Sequence, residues 1–174
     1  IGAWVGLDAP SMAEALSQYR GAGRRFEFKG EAAGVAVIDD YGHHPTEIRA
    51  TLRAARECFP GRRVWAVFQP HTYSRLKAFF NEFAGAFEDA HRVIITDIYA
   101  ARERDAGDIS AASLAGRVTG PPASYSARLE DAAAFLLREV RPGDVVITLG
   151  ADDGDLIGEL LLAGLRQRGR DDDA

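Results

Sequence analysis

The stretch Val64-Trp65-Ala66-Val67-Phe68, followed by Gln69-Pro70-His71-Thr72-Tyr73-Ser74-Arg75, decides the fold. An unbroken apolar run of β-branched and aromatic residues is the pattern of a strand covered on both faces. Beyond the polar loop the spacing changes: Phe79, Phe80, Phe83 and Phe87 fall on one helical stripe, which reads as core packing. Strand, loop and helix (Arg63–Phe68, then Arg75–Phe87) make one βα unit, and the unit recurs in both directions. Upstream, strand Gly34–Asp39 leads to a helix over Pro45–Phe59 carrying Ile48, Leu52, Ala55 and Phe59 on one stripe. Downstream, strand Arg92–Asp97 leads to a shorter helix, Ser110–Arg117. After Pro121-Pro122 come a short strand near Ser124, helix Leu129–Val140, strand Asp144–Leu149 and helix Asp155–Arg168. The chain opens with a helix from Pro10 or Ser11 to Tyr19, then strand Arg25–Phe28 with a turn at Lys29-Gly30-Glu31. Such alternation predicts an α/β fold: a mainly parallel sheet with helices on both faces and an antiparallel edge strand.

Composition narrows the class. The 174 residues are 47% hydrophobic and 27% charged, the balance of one globular domain. A net charge of −5 and an isoelectric point near 5.4 argue against a nucleic-acid partner. The longest apolar runs, such as Val145–Leu149, fall far short of the roughly 20 residues of a membrane span. One cysteine, Cys58, rules out a disulfide framework and reads as a packed or half-buried thiol late in its helix. Nothing reads as a signal peptide, so the expected compartment is the cytoplasm. The chain starts at Ile1, and residues 1–23 read as the end of an upstream domain or linker. Residues 24–168 form the domain proper, and 169–174 read as a charged, disordered tail. Of 21 basic residues only Lys29 and Lys77 are lysines, so phosphate chemistry here must use arginine, histidine and backbone amides.

In an open parallel sheet, ligands bind beyond the carboxyl ends of the strands. The loops there hold Asp39-Asp40-Tyr41-Gly42-His43-His44, then His71-Thr72-Tyr73-Ser74-Arg75, then Asp97-Ile98-Tyr99-Ala100, then Gly150-Ala151-Asp152-Asp153-Gly154-Asp155. Three of the four histidines and three of the five tyrosines sit in them. Asp39 and Asp40 admit two readings: strand-ending turn carboxylates, or acceptors for sugar hydroxyls or Mg²⁺-bound water. His43 and His44 precede a proline-initiated helix, where they suit phosphate contact, structural hydrogen bonding or, less simply, a metal. Arg75 can hold a carboxylate bidentately or cap a neighbouring strand. Glu47 reads as helix support, Asp97 as a turn residue or a ligand, Arg102–Asp105 as a solvated loop, and Arg24-Arg25 as a surface or interdomain contact. No phosphate-binding G-x-x-x-x-G-K-[ST] loop, G-x-G-x-x-G fingerprint or G-x-S-x-G elbow occurs.

The run VIDDYGHHPTEI (37–48), followed by VFQPHTYSR (67–75), ITDIYAA (95–101) and PGDVVITLGA (142–151), resembles the C-terminal domain of the Mur ligases. The order and spacing of all four motifs agree over roughly Arg24 to Leu165. Within the family they are most similar to the enzymes that add L-alanine to UDP-N-acetylmuramate in peptidoglycan synthesis. The murein tripeptide recycling ligase looks different at the first two motifs.

The resemblance implies a Rossmann-like domain, inactive alone, that closes over ATP and Mg²⁺ held by an upstream central domain, with a sugar-binding domain further upstream. It implies that ATP converts the muramoyl carboxylate to an acyl phosphate, which the amine of L-alanine attacks. By the same resemblance, Asp39, Asp40 and Tyr41 contact the nucleotide, and His43 and His44 are catalytic residues near the phosphates, His44 also as a metal contact. His71, Tyr73 and Arg75 bind the amino acid. Two departures stand out. Thr72 occupies a position where many relatives carry arginine, and the late loop reads GADDGD where the family usually has GAGD. Two other readings stay open on the residues alone: a metal-dependent phosphoesterase using Asp39, Asp40, His43 and His44 as ligands, and a non-catalytic nucleotide-binding module.

Overall fold

The computed structural model describes residues 4, 6–18, 23–151 and 153–172. In chain order the elements are α1 (Ala9–Gln18), β1 (Glu27–Ala32), β2 (Val35–Asp40), α2 (Pro45–Cys58), β3 (Val64–Phe68), α3 (Tyr73–Ala78), α4 (Phe80–Ala84), β4 (Arg92–Thr96), α5 (Ala111–Ala115), β5 (Ala123–Ser126), α6 (Leu129–Glu139), β6 (Val145–Leu149) and α7 (Asp155–Asp172). They build one six-stranded sheet in the order β1-β2-β6-β3-β4-β5, parallel throughout except for the β1–β2 pair. The expected α/β architecture with its antiparallel edge is therefore the one observed.

The near-continuous apolar strands are covered on both sides. Alternate residues of each strand point to opposite faces. Ala36, Ile38, Ala66, Phe68, Val93, Ile95 and Ile147 meet Ile48, Leu52, Leu76, Phe83, Phe87 and Leu114 from α2 to α5. Val35, Val37, Trp65, Val67, Ile94 and Val146 meet Leu136 of α6 and Ile157, Leu161 and Leu165 of α7. Of the phenylalanine stripe, Phe83 and Phe87 are core and Phe79 and Phe80 pack against it half-buried; Phe68 stacks on Phe83 with centroids 5.3 Å apart and tilts on Phe87 at 5.7 Å.

Several boundaries differ from the sequence reading. The first hairpin turns at Ala33-Gly34, with φ of 47° and 72°, and not at Lys29-Gly30-Glu31. Paired positive φ angles are what a two-residue hairpin turn requires. Gly30 instead lies inside β1 at a break in register between Phe28 and Gly30, the other use of a glycine in a strand. The helix expected over Arg75–Phe87 is two helices, broken at Phe79 (φ −116°, ψ 26°), and the break carries the Phe79 ring edge-on to His44 at 4.7 Å. Cys58 is exposed, because it falls off the Ile48–Leu52–Ala55 stripe. Helix α7 runs on to Asp172, into the stretch whose composition suggested disorder.

The amino ends of the strands are tied by one buried carboxylate. Asp144, 4% exposed, accepts from Arg63 Nε at 2.9 Å and Nη2 at 2.6 Å, from Trp65 Nε1 at 3.1 Å and from the Arg141 N–H at 2.9 Å. Burial pushes its pKa up, but the Arg63 guanidinium, the Arg141 N–H and the indole together hold it below the ordinary carboxylate range. A folded-state value below the unfolded one stabilises the fold at neutral pH, and that stabilisation is lost as pH falls through the folded value. Asp144→Ala removes the carboxylate that faces Arg63 and the indole N–H and is expected to cost about 3 kcal/mol in urea unfolding at pH 7. The cost shrinks at acid pH, where the wild-type carboxyl is itself protonated.

Candidate functional site

The loops at the carboxyl ends of β2, β6, β3 and β4 are laced together in the same order as their strands. The Gly150 N–H donates to Asp40 O at 3.2 Å, Gln69 N–H to Leu149 O at 3.0 Å, Tyr99 N–H to Pro70 O at 2.8 Å and Thr72 N–H to Tyr99 O at 2.9 Å. Parallel pairing thus continues past the strand ends as far as a bridge between His71 and Tyr99.

Asp39 and Asp40 end β2 on opposite faces, and both carboxylates turn inward. Asp39, 1% exposed, accepts from Arg24 Nε at 2.7 Å and Thr148 Oγ1 at 2.6 Å. Asp40, 6% exposed, accepts from the N–H groups of Phe26 at 2.8 Å and Gly42 at 2.7 Å. Together they hold a strap, residues 24–26, across the rim. Arg24 and Phe26 adopt φ of 55° and 48° there, left-handed conformations that cost a side-chain-bearing residue roughly 1–3 kcal/mol each. Arg24 also donates to Gly150 O at 2.9 Å, and its backbone carbonyl accepts from the Tyr41 N–H at 2.7 Å. Arg24 is thus a structural hub within this domain, where the sequence suggested a surface or interdomain contact. The guanidiniums of Arg24 and Arg25 lie 5.4 and 5.7 Å from the centroid of the half-exposed Tyr41 ring.

The next loop closes onto α2 through a capping box. Glu47 Oε2 accepts from the N–H groups of His43 at 2.9 Å and His44 at 3.0 Å, while His44 Nδ1 accepts from the Thr46 N–H at 3.3 Å. Burial raises the Glu47 pKa, but those two N–H groups, with His43 and Arg25, bring it below its ordinary value. Glu47 is the helix support the sequence suggested, and it also sets the directions of both histidines. His43 Nδ1 lies 3.0 Å from Tyr41 O, which assigns the proton to Nδ1 and leaves Nε2 as an acceptor.

A ladder of rings then crosses three loops. Tyr41 meets His43 edge-on at 5.4 Å, His43 tilts on His71 at 5.9 Å, and His71 stacks on Tyr99 at 5.7 Å with planes 13° apart. Arg75 Nη1 lies 2.8 Å from His71 Nδ1 and donates to His71 O at 3.2 Å. A guanidinium can only donate, so His71 Nδ1 accepts and its ring proton sits on Nε2. Arg75 and His71 together form a donor pair suited to a small carboxylate. Thr72 caps α3 at φ 66°, its Oγ1 accepting from the Arg75 N–H at 3.4 Å.

The structure thus brings Tyr41, His43, His71 and Arg75 together and spends His44 on its helix cap and on Phe79. Tyr73 lines a cavity of about 170 Å³ with Asp97, Ile98, Asp105, Ile109, Ser110 and Ala111, a lining that includes neither His71 nor Arg75. Among the described residues no three His, Cys, Asp or Glu side chains converge as a metal cage. The four-ligand set of the phosphoesterase reading does not form, because its two carboxylates face the strap. Asp152 lies outside the described residues. Sequence reasoning missed Arg24, Tyr99 and Glu103. Glu103 belongs to the charge run read as solvated, yet its carboxylate accepts from Ser74 N–H at 2.9 Å and from the Ser74 hydroxyl. No local signal marks such pairings, whose partners lie far apart in the chain.

Residues 24–152 match the family described as Mur ligase, glutamate ligase domain. The chain belongs to the Mur ligases. A curated relative, the UDP-N-acetylmuramate–L-alanine ligase of Roseiflexus sp., is 48% identical over 164 residues, which are 94% of this chain and 35% of the relative. The crystal structure of UDP-N-acetylmuramate–alanine ligase from Thermotoga maritima superposes with a TM-score of 0.77 at 26% identity, covering 97% of this chain and 35% of that one. The MurF ligase of the same organism, solved with ADP, shares the fold at a TM-score of 0.64 and 22% identity, over 88% of this chain and 34% of that one. The chain spans about a third of the length of the curated relatives it matches. No helix among the described residues is long and apolar enough to cross a membrane.

Two predictions follow from this Mur ligase rim. Arg24→Met strands the buried Asp39 charge and is expected to cost about 3 kcal/mol in chemical denaturation, with the Asp39→Asn/Arg24→Met pair less damaging than the sum of the two single changes. Tyr125, whose hydroxyl donates to Asp97, has its phenol pushed up to about 12, first by that hydrogen bond and then by burial. A phenolate absorbance titration is expected to lose its latest-titrating tyrosine in Tyr125→Phe.

Proposed function

We propose that this chain is the amino-acid-binding, C-terminal domain of an ATP-dependent ligase that joins L-alanine to UDP-N-acetylmuramate. The observation that carries the reading is the His71–Arg75 donor pair, set at the rim of a domain whose relatives at 45–48% identity bear that enzyme's name. Supplied with ATP by the rest of the protein, the muramoyl carboxylate becomes an acyl phosphate. The amine of L-alanine attacks its carbonyl carbon, a C–N bond forms and phosphate departs.

The part of this chain is orientation. Arg75 Nη and His71 Nε2–H take the L-alanine carboxylate and leave its amine free to point at the acyl carbon. Fixing the nucleophile in this way removes several kcal/mol of entropic barrier. His43 Nε2, an acceptor by its tautomer, is the group on this rim that takes the proton the amine loses. Tyr41, with two guanidiniums against its ring, offers a flat surface to the nucleotide base, and the Arg25 guanidinium beside it is a phosphate partner. The inward carboxylates of Asp39 and Asp40 act through the strap they hold. We assign no residue to Mg²⁺, because no cage forms among the described residues; an ion that keeps its waters and rides on nucleotide phosphates needs none. The absence of a phosphate-binding loop in the 174 residues requires a central domain to supply one. A cytoplasmic location follows from the ATP and UDP-sugar that the reaction consumes.

The test is phosphate release by the full-length parent protein with ATP, Mg²⁺ and UDP-N-acetylmuramate. The arms are L-alanine, glycine, the tripeptide L-Ala-γ-D-Glu-meso-diaminopimelate, and no acceptor. Release is expected to require L-alanine and to fall about a hundredfold in kcat/KM for L-alanine in Arg75→Ala. Release only with the tripeptide would move the assignment to the recycling ligase, and brisk ATP turnover by the 174-residue chain alone would sink the reading.

A further inference from the structure

The segment after β4 lies against the amino-acid end of the rim and is fastened to it at several points. The Tyr99 N–H donates to Pro70 O at 2.8 Å, the Thr72 N–H donates to Tyr99 O at 2.9 Å, and the Tyr99 ring stacks on His71. Further along, Glu103 takes the Ser74 N–H at 2.9 Å with one carboxylate oxygen and the Ser74 hydroxyl with the other. The turn between these contacts is set by Ala101, at φ 53°, and by the Glu103 N–H on Ala100 O at 2.9 Å.

The helix that receives these bonds has little stability of its own. Helix α3 is six residues long, and its cap is a threonine in a left-handed conformation whose bond to the Arg75 N–H is long, 3.4 Å. A single turn does not hold itself in water, and its first N–H groups need acceptors, best of all charged ones. Glu103 is the charged acceptor, brought from 29 residues further along the chain. Hydrogen bonds from the Ser74 hydroxyl and N–H hold its carboxyl below the ordinary range, so it is ionised at neutral pH. Arg75 is the next residue after Ser74, and its guanidinium lies against His71. A shift of the first turn of α3 therefore moves Arg75 relative to His71.

We propose that Glu103 is a positioning residue: its carboxylate latches the 97–105 segment onto the first turn of α3 and so fixes the His71–Arg75 pair in the geometry that binds the amino-acid carboxylate. This rests on the ligase reading. Glu103 acts through Ser74 and touches neither Arg75 nor His71 by any polar contact described above. It confers affinity and aim on the amino acid and leaves the nucleotide and sugar to other groups.

The experiment uses the full-length parent protein with Glu103→Ala, Glu103→Gln and each of these in an Arg75→Lys background. In Glu103→Ala the KM for L-alanine is expected to rise about tenfold, while the KM for ATP, the KM for the UDP-sugar and the Tm hold. Glu103→Gln, whose amide oxygen still accepts from the Ser74 N–H, is expected to recover part of the loss. In the Arg75→Lys background Glu103→Ala is expected to change the KM for L-alanine by about twofold or less, because its target is already impaired. An unchanged KM for L-alanine in Glu103→Ala, or an undiminished effect in the Arg75→Lys background, overturns the proposal while the wild-type turnover leaves the ligase reading standing. So does a uniform rise in every KM with a fallen Tm, which marks Glu103 as merely structural. A wild-type protein with no L-alanine-dependent release would instead defeat the ligase reading and the proposed role with it. Amide exchange at Ser74, faster in Glu103→Ala, then reports the latch by itself.

Discussion

Two adjacent carboxylates at the end of a central strand have to be satisfied inside the protein, and much of the rim follows from how that is done. An unpaired buried carboxylate costs several kcal/mol. Asp39 and Asp40 are almost fully buried, so each needs donors, and for each of them one donor comes from residues 24–26. Meeting that need carries the entering chain across the ends of β2 and β6, forces two side-chain-bearing residues into left-handed conformations, and leaves two guanidiniums against Tyr41. The strain at Arg24 and Phe26 is tolerable because an ion pair and two backbone bonds lie on the other side of the balance. The aspartates thus serve the rim by fixing what stands around them, and their own oxygens face inward.

The two ends of the sheet divide the work. At the amino ends, Asp144, Arg63 and Trp65 form a knot tied by hydrogen bonds to one buried carboxylate. At the carboxyl ends the backbone lacing is as tight, and the side chains of Tyr41, His43, His71 and Arg75 are gathered along it. Loops anchored on a rigid parallel sheet can hold such groups in one geometry. The least self-sufficient element is α3, one turn of helix that carries Arg75. Its order is borrowed from Thr72 and Glu103, so the residue most concerned with the amino acid depends on a contact made by another loop.

The alternating apolar strands and the helical stripes were legible in the sequence because their signal is local: neighbouring side chains alternate across a pleat, and residues three and four apart share a helix face. The same logic made the four rim loops legible, since the carboxyl ends of parallel strands must lie on one side. The capping function of Glu47 was readable from its place in the first turn of a proline-initiated helix. The hairpin turn was misplaced because a glycine marks a turn and a bulge equally well. The break at Phe79 was invisible because the aromatic stripe continues across it.

What the sequence alone determined is the α/β class, the sheet with its antiparallel edge, and the membership in the Mur ligases that four motifs in order betray. Which way the motif residues point is settled by pairings between distant parts of the chain. Arg24 and Asp39 are 15 residues apart, Ser74 and Glu103 29, Arg63 and Asp144 81. At those separations local propensity is silent. The pairing is chosen by the requirement that every charge taken out of water find a partner where the packed sheet happens to bring one.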